Sequence, residues 1–183
     1  MSRAKQLVPY TLGEELCNAI SHGVGAALSI AGLVVLLLSA QNVWEYVSFS
    51  IYGASMVFLF LMSCLYHALT HQTAKYIMRI FDHTAIFLLI AGTYTPFTLI
   101  TLRQQVPVVG WTVFGMVWAA AVIGIVLNAI SIERFKRVSM VCYIGSGWCI
   151  IAALYPLIQC MEPGGLMLLI GGGGCYTAGL LFY

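Results

Sequence analysis

Ser63-Cys64-Leu65-Tyr66-His67, then a short polar link carrying His71, Lys75 and Arg79, then Asp82-His83-Thr84-Ala85: this stretch decides how the chain is read. On both sides the sequence is apolar for about the ~30 Å of a bilayer's hydrocarbon core. A hydroxyl, imidazoles and a carboxylate are therefore gathered where a membrane protein carries few polar groups, and such groups mark functional sites. The expectation is half of a metal site at the inner edge of a helix bundle.

Working outward, the 183 residues are 61% hydrophobic and 8% charged. A soluble domain has about 25% charged residues, so this chain has too few to cover a water-facing surface. The fold class is all-α: a polytopic transmembrane helix bundle forming one domain over 1–183. Six apolar spans are expected, at about 20–40, 47–69, 83–102, 106–128, 138–158 and 164–183. Each is near the ~20 residues a helix needs to cross hydrocarbon, and none contains Lys, Arg, Asp or Glu. Arg3 and Lys5 precede an apolar run, as in a signal peptide. Glu14 and Glu15 intervene, however, and Leu38-Ser39-Ala40 lacks the small-x-small cleavage pattern, so the first span is retained.

Orientation follows from the eight basic residues. Arg3, Lys5, Lys75, Arg79, Arg134, Lys136 and Arg137 fall on one side of the alternating spans, and only Arg103 on the other. Basic loops stay in the cytoplasm, which puts the amino terminus inside. Trp44 and Trp111 belong near the opposite rim. A net charge of +2, with no basic face interleaved with aromatics, excludes a nucleic-acid partner. The partners expected are membrane lipids. Six scattered cysteines, none in a Cys-x-x-Cys pair, read as small apolar side chains packed in helices.

Three local features bear on packing. Pro96 should kink the third span, because its ring removes a backbone donor and crowds the preceding turn. Pro156 can do the same near the end of the fifth. Gly171-Gly172-Gly173-Gly174 permits a close backbone approach or a bend, and no Gly-Lys-Ser/Thr follows it to make a phosphate loop.

Inner-side helix ends collect the remaining polar groups. Glu15, Asn18 and His22 are spaced by three and four and share one helical stripe. Ser63 and His67 lie one turn apart on a common face. Asp82 and His83 open the third span. Plainer readings stand beside these: His71 and His83 at headgroup depth, Asp82 as a helix N-cap, Glu15 and Asn18 as a solvated face. His67 is different, since it lies inside an apolar segment where lipid exposure is costly. The chemistry suited to the set is zinc binding, with imidazole as ligand and carboxylate and serine orienting a metal-activated water. His67 is the ligand expected; no second and third are evident.

Glu15-x-x-Asn18-x-x-x-His22, Ser63-x-x-x-His67 and Asp82-His83-Thr84-Ala85, in that order across nearly the whole chain, resemble the hemolysin III type within the progestin and adipoQ receptor superfamily, above all its bacterial inner-membrane, membrane-homeostasis members. The resemblance implies a seven-helix bundle with a zinc ion on the cytoplasmic side. It implies His67 as a direct ligand, and Ser63 and Asp82 as the groups that hold or polarise the metal-bound water, with Asp82 as general base. Two further histidines would come from a His-x-x-x-His pair in a seventh helix. Leu180-Leu181-Phe182-Tyr183 looks like a cut end, so the sequence as it stands offers one of the three ligands. Two functions are consistent with this: upkeep of membrane lipid or fluidity with zinc as a structural ion, and zinc-dependent hydrolysis of a lipid amide or ester. A cytolytic pore would need a polar stripe along several helices, and the sequence contains none.

Overall fold

The computed structural model describes Leu7 and residues 10–180, and among them every regular element is helical. Six helices follow one another with tight connections: α1 (Leu12–Ser39), α2 (Val43–Ala68), α3 (Gln72–Gln105), α4 (Pro107–Ile130), α5 (Ile132–Cys160) and α6 (Pro163–Leu180). The first five are long and apolar enough to cross a membrane. The sixth has 18 described residues and is not among those five.

Neighbours in sequence pack side by side, and α3 lies at the centre: 56% of its apolar window is buried, against 11% for α1. The core joins α3 (Phe87, Ala91, Tyr94, Leu102) to α4 (Val113, Val117, Ala121) and α5 (Tyr143, Ala153, Leu157). The outward faces carry Leu16, Ile20, Val24 and Leu28 on α1 and Val122, Ile123 and Val126 on α4. That pattern suits lipid, because an apolar exterior costs nothing against acyl chains.

Two glycines allow the closest helix contacts. A Cβ at Gly92 would meet Ser55, and one at Gly124 would meet the ring of Phe87, so α2 and α4 sit tightly on α3. Gly171 to Gly174 do not act this way. No atom among the described residues lies within 4 Å of a Cβ placed on any of them, and α6 runs through them unbroken. The close approach or bend that this run permits is not made among the described residues.

Pro96 does disturb α3. The α-helix ends there, a π-helical stretch spans Phe97–Leu102, and a short α-turn Arg103–Gln105 finishes the rod. The hydroxyls of Thr95 and Thr98, both fully buried, donate to the carbonyls of Ala91 and Tyr94, at 2.8 and 2.9 Å, so neither is left unpaired. In α5, Cys149–Ala153 tightens to a 3₁₀ turn just before Pro156. Tyr94 holds this turn from α3: its hydroxyl donates to the Gly147 carbonyl at 2.7 Å and accepts from the Ile150 N–H at 2.8 Å.

Three helix starts come well before the hydropathy reading. α1 begins at Leu12 rather than Ile20, α3 begins at Gln72, eleven residues before the apolar run, and α5 begins at Ile132 rather than Val138. Hence Lys75 and Arg79 are helical residues, not members of a polar link. The connection is only 69–71, and His71 is the N-cap, its Nδ1 accepting from the Ala74 N–H at 3.4 Å. Asp82 is therefore not an N-cap. It lies well inside α3, about three turns from the start.

Candidate functional site

Three helix termini meet at one end of the bundle. Thr11 and Glu14 form a reciprocal capping box that fixes where α1 starts: Glu14 N–H donates to the Thr11 hydroxyl, and Glu14 Oε2 accepts from the Thr11 N–H at 2.7 Å. With that start set, Glu15, Asn18 and His22 fall on the same inward stripe as the buried Ala26 and Ser29. His67 occupies the last turn of α2 and Lys75 the first turn of α3.

Glu15 joins all three helices. Its Oε2 lies 2.7 Å from His67 Nδ1, and its Oε1 accepts from the Lys75 ammonium at 2.6 Å. The side chains of His67, Lys75 and Glu15 keep only 8%, 12% and 17% of their exposure. His67 thus points into the protein rather than at lipid. Its ring is flanked by Tyr66 at 4.6 Å, by the edge of Tyr10 at 5.4 Å and by His22, near-parallel at 6.2 Å. Lys75 also lies over the Tyr66 ring, 5.1 Å from its centroid. Two buried polar atoms beside this group, His22 Nδ1 and the Tyr66 hydroxyl, have no hydrogen-bond partner among the described residues.

Asp82 is the carboxylate on the adjoining face of α3. Burial first, and then the charges of Asp82 and Glu15, push the Tyr10 phenol above its ordinary range. Asp82 Oδ2 is 3.6 Å from Nδ1 of the neighbouring His83, which faces the Arg79 carbonyl at 3.0 Å. Ser63 is buried one turn below His67, and Asn18 is half-buried on the α1 stripe. Neither of their side chains makes a hydrogen bond among the described residues.

A second ion pair ties α3 to α5: Arg79 Nη1 donates to Glu133 Oε1 at 2.5 Å. Above it, Asn128 of α4, Ser139 and Tyr143 of α5 and the backbone of α3 form a chain. Ser139 donates to Asn128 Oδ1 at 2.6 Å, Asn128 donates to the Tyr143 hydroxyl at 3.2 Å, and Tyr143 donates to the His83 carbonyl at 2.9 Å.

The structure thus brings Glu15, His22 and His67 together, with Asp82 and His83 alongside. It adds Lys75, Tyr66 and Tyr10, which the sequence reading left out. A signal for Lys75 was present: His71, Lys75, Arg79 and Asp82-His83 recur at helical spacing, the mark of one stripe rather than of a loop.

Glu15 on His67 Nδ1 is the arrangement that orients a metal-ligating imidazole, with the carboxylate on one nitrogen and the other nitrogen left for the ion. In that respect His67 fits a zinc site. Among the described residues, though, no three His, Cys, Asp or Glu side chains come together to hold a metal.

The model of the family described as "Haemolysin-III related" matches residues 10–183. The chain belongs to the haemolysin-III family. It is 42% identical over 186 aligned positions to Hemolysin-3 of Bacillus cereus, covering 100% of this chain and 82% of that protein. It is 44% identical to the Hemolysin-3 homolog of Bacillus subtilis (strain 168), covering 95% of this chain and 82% of the relative. At 24% identity it is also similar to the human monocyte to macrophage differentiation factor, over 94% of this chain and 72% of that protein, which fits the wider progestin and adipoQ receptor superfamily. No solved structure matches. Family and helices together make this a multi-pass membrane protein.

Proposed function

We propose that this haemolysin-III protein acts in membrane lipid and fluidity homeostasis through a zinc site at the cytoplasmic end of its bundle, in an inner (plasma) membrane with the amino terminus inside. The observation that carries the reading is the Glu15–His67 pair. A buried imidazole, held by a carboxylate from another helix, sits at the end of the bundle where the basic residues gather. A carboxylate, an imidazole and an ammonium are costly inside a packed end of a membrane bundle, so their presence together there points to use. His67 Nε2 would be a zinc ligand from this chain, with Ser63 and Asp82 beside it. Zinc there would supply a Lewis acid. Cells making the wild-type protein should differ in membrane order from cells making His67→Ala at equal abundance; equal order in the two would remove this reading.

A second reading, a zinc-dependent lipid amide or ester hydrolase, is favoured by Ser63, one turn below His67 on α2, and Asp82 on the neighbouring α3. Asp82 is the candidate general base, and Ser63 with it would hold or polarise a metal-activated water. Release of fatty acid from vesicles doped with a lipid amide, abolished by both His67→Ala and Asp82→Asn, would select it over the first.

A further inference from the structure

The Glu15 carboxylate uses both oxygens, one on each of two other helices, and this suggests a role beyond holding helices together. We propose that the Lys75–Glu15 ion pair is a positioning device for His67: it keeps the imidazole proton on Nδ1 and leaves Nε2 as the bare, reactive nitrogen. The inference deepens the reading of His67 as the functional imidazole and rests on it.

A neutral imidazole has one N–H and one lone pair, and the partner of one nitrogen sets which is which. An ionised carboxylate only accepts. With Glu15 Oε2 at 2.7 Å, the proton in that bond belongs to Nδ1, and the lone pair is on Nε2. The Lys75 ammonium donates to the other oxygen at 2.6 Å and so holds the carboxylate in the orientation that faces Nδ1. Lys75 is held in turn by the Tyr66 ring, next in sequence to His67. Tyr10 and His22, on either side, restrict rotation of the imidazole about its own bonds. One ammonium, one carboxylate and three rings from α1, α2, α3 and the Tyr10 segment therefore fix the tautomer and the plane of a single histidine. Neither Lys75 nor Glu15 needs to touch a substrate or an ion, so both are positioning residues.

The test is the tautomer itself, read by ¹⁵N shifts of the histidine ring nitrogens in the intact chain in nanodiscs, with His67 assigned by its loss in His67→Gln. In its neutral state, wild-type His67 should carry its proton on Nδ1. Glu15→Gln should give a mixture of tautomers, Lys75→Met should shift the balance the same way, and Lys75→Arg should retain the wild-type form. Arg79→Met, which breaks the other ion pair, should leave His67 unchanged. Zinc affinity should fall about 10–100-fold in Glu15→Gln and Lys75→Met. A wild-type His67 protonated on Nε2 overturns the proposal whatever the variants do, as does an unchanged tautomer in Glu15→Gln with wild-type helicity. If the tautomer is as stated but zinc does not bind, the positioning role stands and the proposed function falls.

Discussion

Removing Lys75 should cost more than removing the carboxylate it pairs with, and the structure gives the reason. Glu15 is a short, fixed acceptor with 17% of its exposure left, held between His67 and Lys75. Lys75→Met strands that charge, and breaking a buried pair from one side costs about 3–5 kcal/mol. Lys75 itself is one turn from the start of α3 on a flexible four-carbon stem. In Glu15→Gln its ammonium can swing toward the headgroups, which limits the loss to about 1–2 kcal/mol. The double variant strands no charge and should lose only about 1–2 kcal/mol, so the two changes are coupled by about 3–5 kcal/mol, at or above the top of the usual range for contacting residues. Reversible SDS unfolding in mixed micelles, followed by far-UV circular dichroism, measures all four proteins. Additivity within about 0.5 kcal/mol, or Glu15→Gln as the costlier single change, would refute the reasoning.

Other expectations follow from the packing and the charge distribution. Tyr94→Phe removes a hydroxyl that serves both Gly147 and Ile150 and should destabilise by about 1–2 kcal/mol in the same assay. Gly124→Leu forces α4 away from Phe87 and should cost about 1–3 kcal/mol, whereas Gly172→Leu, on an open face of α6, should be close to neutral. In a cysteine-free background, Gln105→Cys should react with an impermeant maleimide in intact cells, and Thr70→Cys only after permeabilisation; the reverse pattern would invert the topology.

The order of helices and the end of the bundle that holds the polar residues were readable from the sequence, because apolar runs and basic residues record them directly. Helix starts were not. Lys75, Arg79 and Arg134 depress hydropathy, so the apolar runs begin late, yet nothing between Gln72 and His83 or between Ile132 and Val138 breaks a helix. Partners distant in sequence, Glu15 for Lys75 and Glu133 for Arg79, make those charges tolerable inside a packed end. The stripe Glu15, Asn18, His22 announced an inward face but not its partner. That Glu15 would meet His67, fifty-two residues on, depends on how α1 lies against α2, which no local pattern encodes. The glycine run of α6 permits a close approach without requiring one, and among the described residues none is made there.

Metal analysis of the protein purified from its complete natural reading frame, wild type against His67→Ala, tests the central claim most directly. The account predicts zinc retained through dialysis by the wild type and lost from a folded His67→Ala protein. Equal zinc content in the two would contradict it.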